Sequence, residues 1–352
     1  MKRWLIILAL ATVIAVPFVL RPKAESISSS DDVLVLITPH NEAIRHEFGL
    51  AFAEWYTERT GRTVALDWRV IGGTSEIARF LASEYTASFR NYWENKLAKP
   101  WDFSVQSSFG DGRLSADASA LEKEAREAFL ASNVSCGIDR VFGGGPYDFI
   151  RPARMGQLVK TRVFETHPEW FAPDVIPFEY AGEGYYDPEH RWTGTVLSSY
   201  GMIYNQDVLK LLNIEQPPKQ WEDMRDPRLI GSIALTDPTK SGSIAKAFEN
   251  VIQQQMQNEL DETPEDEARA IREGWIRGLQ LLQLVAANSR YFTDSSQKPP
   301  IDVAAGNCAI GMCIDFYGRQ QAEAVRRRGD SARVDYVSPP GGSVSSVDPV
   351  GI

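Results

Sequence analysis

The chain has 352 residues, 43% of them hydrophobic and 24% charged, and a formal net charge of −10. The length exceeds what one hydrophobic core usually holds, so two domains or lobes are expected. The acidic balance makes nucleic acid an improbable partner, although backbone dipoles inside a cleft can still favour an anionic small molecule.

The N-terminus begins Met-Lys-Arg, continues through the apolar residues 4–20 and closes with Arg21-Pro22-Lys23, the pattern of an export leader. Ala24 is the candidate last leader residue, so 1–24 reads as a signal peptide or, with 4–20 retained, an N-terminal anchor; both stay open. Residues 25–32 form a Ser-rich tether. An extracytoplasmic, periplasmic location follows from either reading.

Residues 33–37 are an apolar run that predicts a strand buried on both faces. Behind Thr38-Pro39-His40-Asn41, residues 42–60 place Ile44, Phe48, Ala51, Phe52 and Trp55 on one helical face, with Asn41 positioned to cap. Val64, Leu66, Trp68 and Val70 alternate as a second strand that runs into Gly72-Gly73-Thr74-Ser75 and a helix from about Glu76. Residues 84–113 are aromatic without a clear period and read as an insertion. A helix is predicted over 115–131 and a short strand over 139–142, stopped by Gly143-Gly144-Gly145-Pro146. Residues 161–194, rich in Pro, Gly and aromatics, read as irregular cover.

A strand over 195–204 is interrupted at Ser198-Ser199-Tyr200-Gly201, and 233–235 leads into Asp237-Pro238-Thr239-Lys240-Ser241-Gly242-Ser243 and a further helix. Thr263-Pro264 predicts a helix start, with Thr as cap and Pro at the first position. A strand over 308–314, a helix over 315–328 and a strand over 333–337 follow. The chain then ends in an apolar, strand-like run and looks cut short. Cys136, Cys308 and Cys313 are expected as buried thiols, because 308 and 313 fall on opposite faces of one strand.

Small hydroxyl residues and glycines at successive strand-to-helix turns are suited to hold an anion or carboxylate on free backbone N–H groups. Known enzyme motifs do not fit. Thr239 stands where a P-loop needs Gly before Lys240, no Gly-x-Ser-x-Gly elbow exists, and the only histidines are His40, His46, His167 and His190. A metal site is the chemical alternative: His40, Glu42, His46 and Glu47 are close in sequence, although without His-x-x-x-His spacing, and Asp315-Phe316-Tyr317 offers a carboxylate and a phenol. The repeated turns behind a leader point to ligand capture rather than catalysis.

Taken in order, Pro39-His40-Asn41-Glu42, Gly73-Thr74-Ser75-Glu76, Val141-Phe142-Gly143-Gly144-Gly145, Ser199-Tyr200-Gly201-Met202, Asp237 to Ser243 and Gly306-Asn307-Cys308-Ala309 resemble the periplasmic solute-binding proteins of ABC transporters, in the group that includes the ferric-ion-binding proteins. The resemblance implies an α/β, two-lobed type II periplasmic-binding-protein fold. Each lobe would be a mixed, mostly parallel sheet flanked by helices, with the family's C-terminal helices missing. It places lobe one at 31–195 and 333–352 and lobe two at 196–332. It also implies a monomer that hands its ligand to an inner-membrane permease and ATPase, with no cofactor of its own. The residues expected around the ligand are His40, Thr74, Ser75, Gly144 and Gly145 from lobe one, and Ser198, Ser199, Ser241, Gly242, Ser243, Asp315 and Tyr317 from lobe two. Iron-binding members use a His matched by His40, a Glu where this chain has Gly145, and two tyrosines where it has Phe316-Tyr317. The incomplete set ranks Fe(III), held by His40 and Tyr317, below an organic anion as cargo. A membrane-tethered sensor is the rival reading.

Overall fold

The computed structural model describes residues 30–180, 182–329 and 333–352. The leader, the anchor candidate 4–20 and most of the tether lie outside the described residues. Two compact units are distinguished. One reaches Val35 and resumes over Ala43–Asp67, and the other comprises Leu36–Glu42 and Trp68–Ile352.

Strand β1 (Asp32–Ile37) is followed by helix α1 (Glu42–Thr60) and strand β2 (Val64–Arg69). Burial in β1 is confined to its carboxyl end: Leu36 and Ile37 are buried, whereas Val33 is 46% exposed, so the expected burial along the whole strand does not hold. The predicted apolar face of α1 is likewise not buried, and Phe48 and Trp55 remain about half exposed. Polar contacts knit this unit instead. The Asp32 carboxylate accepts from the Tyr56 hydroxyl at 2.8 Å and from Arg62 at 2.6 Å.

Helix α2 (Thr74–Asn91) runs on through a π-helical turn at Tyr92–Lys96, and α3 (Phe103–Ser108) follows, started by the Asp102 carboxylate accepting from the Val105 N–H at 2.9 Å. The 84–113 segment is therefore helical core rather than insertion. Phe89, Trp93, Val105 and Phe109 pack with Ala125 and Phe129. A π-turn adds a residue to the helical repeat, which erases the 3.6-residue period in the sequence. Helix α4 (Ala120–Ala131) starts later than predicted because Ser119 and Glu122 form a reciprocal capping box. Strand β3 (Arg140–Phe142) leads into α5 (Pro146–Met155), a helix the sequence reading did not place. Pro146 opens it, and Gly156 ends it at φ +80°.

The cover contains α6 (Val163–Thr166) and a hairpin of β4 (Glu179–Tyr180) and β5 (Glu183–Gly184), packed by Phe164 stacked on Phe171 and His190 at 3.9 and 4.0 Å. Strands β6 (Trp192–Ser198) and β7 (Tyr200–Asn205) are separated by Ser199 alone, then come α7 (Gln206–Leu211) and β8 (Ile233–Thr236). Helix α8 (Gly242–Glu262) ends at Thr263, and α9 (Glu267–Ala287) starts from an Asp266 cap, so Thr263-Pro264 joins two helices instead of opening one. Asp266 prevails because its carboxylate reaches the Arg269 N–H at 3.0 Å. The chain finishes with β9 (Ser289–Thr293), α10 (Lys298–Ala304), β10 (Ile310–Ile314), α11 (Asp315–Arg327), β11 (Val334–Val337) and β12 (Ser346–Gly351). All three cysteines are free; Cys308 and Cys313 are buried, but Cys308 precedes β10 rather than lying in it. No described helix is long and apolar enough to cross a membrane.

Two five-stranded mixed sheets result, ordered β2-β1-β3-β12-β6 and β11-β7-β10-β8-β9. Parallel pairs (β1 with β3, β10 with β8, β8 with β9) are combined with antiparallel β12 and β7. Strands β7 and β10 are buried along their whole length, which explains their continuous apolar sequence. The chain passes from the first sheet to the second at Ser199 and returns between β11 and β12. Two mixed sheets flanked by helices are thus joined by two crossings of the chain, an α/β architecture.

Candidate functional site

The loops that follow the carboxyl ends of β1, β3, β8, β9 and β10 converge, as open α/β sheets require at their ligand edge. They surround a small cavity of about 50 Å³. From the first sheet come His40, Thr74, Gly144 and Asp348; from the second come Ser241, Gly242, Ser243, Asp294, Ser295, Ser296, Phe316 and Tyr317.

A buried histidine–carboxylate pair anchors the first side. His40 and Asp348 are 3% and 6% exposed, and Nε2 lies 2.7 Å from Oδ2 of Asp348. Facing a carboxylate, Nε2 carries the proton, while Nδ1 meets the Thr38 hydroxyl at 2.9 Å. The other carboxylate oxygen of Asp348 accepts the Gly144 N–H at 2.7 Å. Phe142 and Phe316 pack on the imidazole at centroid distances of 4.7 and 6.2 Å. Gly143 is required here. Its φ is +89°, and a side-chain carbon on it would fall 2.2 Å from His40 Cε1.

Asp148 forms the second acidic element. It accepts the Gly145 N–H at 2.9 Å. Burial pushes its carboxyl above the ordinary value, hydrogen bonds from Gly145 and Thr74 pull it back, and the nearby Asp348 charge raises it further. The Gly144 and Gly145 N–H groups just before α5 are therefore already taken by the protein's own carboxylates.

The start of α8 is less committed. Ser241 Oγ and Ser243 Oγ are 3.1 Å apart. The Gly242 N–H donates to Thr74 Oγ1 at 3.3 Å, Ser75 Oγ donates to the Thr239 carbonyl at 2.9 Å, and Gln297 Nε2 donates to the Pro39 carbonyl at 2.7 Å, so the two sets of loops touch directly. Gly242 admits this approach because a side-chain carbon there would meet Asp148 Oδ2 at 2.9 Å. Burial pushes the Tyr317 phenol well above its usual range, which keeps it protonated.

Of the residues expected from sequence, His40, Thr74, Gly144, Ser241, Gly242, Ser243 and Tyr317 line the cavity. Five others fall outside its lining, each for a local reason. Ser75 reaches the Thr239 carbonyl, and the Gly145 amide is spent on Asp148. Ser198 and Ser199 belong to the crossing between the sheets, where their hydroxyls meet the Ser346 carbonyl at 3.3 Å and Ser338 Oγ at 3.2 Å. Asp315 opens α11 and lies 3.7 Å from Arg319. Sequence reasoning missed Asp348, Asp148, Asp294, Ser295 and Ser296. Asp348 had a signal, a single acid inside the apolar run Val347-Asp348-Pro349-Val350. Among the described residues no group of three or more His, Cys, Asp or Glu is placed to hold a metal ion.

Residues 145–352 match the family described as bacterial extracellular solute-binding protein. A protein of Haemophilus influenzae carrying no functional description is 25% identical over 151 residues, covering 35% of this chain and 44% of that relative, so the match spans under half of its length. The periplasmic binding protein AfuA from Actinobacillus pleuropneumoniae, solved with fructose-6-phosphate bound, is 16% identical over 92% of this chain and 74% of its own, with a TM-score of 0.54. The spermidine/putrescine ABC transporter substrate-binding protein PotD from Streptococcus pneumoniae is 14% identical over 92% and 72%, with a TM-score of 0.50. At such identities these two structures speak for the fold alone.

Proposed function

The chain belongs to the bacterial extracellular solute-binding proteins, and on that premise we propose that it captures a small anionic solute outside the cytoplasm and delivers it to an ABC permease and its ATPase. The observation that carries this reading is the convergence of Thr74 and His40 from one sheet with Ser241, Gly242 and Ser243 from the other on one cavity. The first turn of α8 offers amide and hydroxyl donors at the positive end of a long helix, the chemistry that holds an oxyanion. Both oxygens of Asp348 are engaged within the protein, one by His40 Nε2 and the other by the Gly144 N–H, so the carboxylate is turned to its own loops.

A volume of about 50 Å³ is far below the roughly 300–1,000 Å³ of small-molecule sites. Entry of a solute therefore needs the halves to part. We assign one lobe to 31–195 with 333–352 and the other to 196–332, moving about the crossings at Ser199 and 338–345. Solute favours the closed arrangement through contacts that neither side makes alone. The role is binding and hand-over, by a monomer, rather than turnover. Ferric iron is the weaker cargo: His40 Nε2 is engaged by Asp348, and Gly145 and Phe316 stand where the iron-binding set has a Glu and a second Tyr.

The test is native mass spectrometry of the protein from its host to identify the retained solute, followed by calorimetry. The double substitution Ser241→Ala/Ser243→Ala should weaken binding at least about tenfold, from about 1–3 kcal/mol for lost hydrogen bonds to a charge. Unchanged affinity rejects the assignment.

A further inference from the structure

Beyond the cleft, a larger space lies along the groove between α2 and α5. Two cavities of about 340 and 500 Å³ share Ala82, Tyr147, Arg151, Met155 and Gln157 in their walls and so form one continuous groove. Its total lies in the size range of small-molecule sites, generally about 300–1,000 Å³. The inner end opens beside Thr74, Asp148 and Thr239, and the outer end beside Gly110, Asp111 and Arg113.

The wall chemistry is uneven. Ile77, Leu81, Val141 and Pro152 supply an apolar floor at the inner end. Arg113, Arg151 and Arg154 rim the outer end, and among the described residues none of the three has a carboxylate within ion-pairing distance. Arg79, which also lines the inner cavity, is instead paired with Glu76 at 2.5 Å. The facing acids are Asp148 at one end and Asp111 at the other; Asp148 is held by Gly145 and Thr74, and Asp111 accepts the Arg113 backbone N–H at 2.8 Å. Three uncompensated arginines on one cavity stand out in a chain of net charge −10.

We propose that this groove is a second binding site, for a compact apolar molecule bearing a terminal phosphate, with Arg151 as its anchor. A phosphate monoester carries about −1.5 to −2 charges near neutral pH, which matches several guanidinium groups better than a single carboxylate does. Arginine forks bind such oxygens in a bidentate manner, and the exposed Tyr147 ring offers a face for the ligand's body. Arg151 lines both cavities, which places it where they meet. The groove shares one lining residue with the cleft, Thr74, and the proposal does not depend on the cleft reading.

The experiment is calorimetry of phenyl phosphate against the full chain, with neutral benzyl alcohol as the control probe. Binding of phenyl phosphate that weakens with added salt, and no binding of benzyl alcohol, is expected. Arg151→Glu should lower the affinity at least about tenfold, and Arg113→Ala/Arg154→Ala should lower it by a smaller factor. These side chains are exposed, so circular dichroism should report an intact fold for each variant. Ser241→Ala/Ser243→Ala should leave phenyl phosphate binding within about twofold, which separates this groove from the cleft. No binding of phenyl phosphate to the unaltered chain overturns the proposal. So does binding that is lost in the serine variant and kept in Arg151→Glu.

Discussion

Removing the Asp348 carboxylate should be among the most damaging single changes near the cleft. Asp348 is 6% exposed and holds two donors, His40 Nε2 and the Gly144 N–H, each at 2.7 Å. In Asp348→Ala both of these largely buried donors lose that acceptor. Each orphaned buried donor costs about 1–3 kcal/mol, and relief of repulsion with Asp148 returns part of it, leaving a net loss of about 2–4 kcal/mol. Asp348→Asn keeps an oxygen for Gly144 but presents an amide N–H to His40. The imidazole then has to move its proton to Nδ1 and donate to Thr38, a rearrangement that should cost only about 1 kcal/mol. Urea unfolding followed by tryptophan fluorescence measures both variants. If Asp348→Ala unfolds within about 0.5 kcal/mol of the parent, the paired geometry does not hold the loops and the reasoning fails.

Gly143→Ala should be destabilised by about 2 kcal/mol or more, since alanine is strained at φ +89° and its methyl displaces His40; an unchanged urea midpoint would contradict this. Gly274→Ala gains about 1 kcal/mol of helix propensity, yet its methyl would sit 2.3 Å from Met256 Cα in α8, so overpacking of about 1–3 kcal/mol should win and calorimetric melting should fall. Asp148 titrates above its ordinary 3.8 because it is buried, so its contribution to stability is complete below that pH and is lost as pH rises through the raised value. Asp148→Asn lacks that loss. Its urea midpoint relative to the parent should therefore improve between about pH 4 and about pH 7, and a pH-independent difference would refute the assignment.

Much of the fold was legible from composition alone at particular places. The apolar strand expected over 308–314 is β10, buried along its whole length, and the interrupted strand expected over 195–204 is present as β6 and β7. The break at Ser198-Ser199 was visible as an interruption, but its meaning was not. Only pairing shows that β6 joins β12 while β7 joins β10 and β11. The segment after residue 84 misled because a π-turn shifts the helical phase, and the Thr263-Pro264 signal yielded to a better carboxylate cap at Asp266.

For the site, the small hydroxyl residues before α8 were readable because donors at a helix start depend on a few neighbouring residues. What those donors face depends on residues far away in the chain. Asp348 lies 308 positions from His40, yet it decides that the Gly144 amide and the imidazole are already spoken for. Local patterns record the preferences of neighbouring residues. Charge balance, burial and the closeness of two loops are sums over the whole folded molecule, and those were settled only by its tertiary structure.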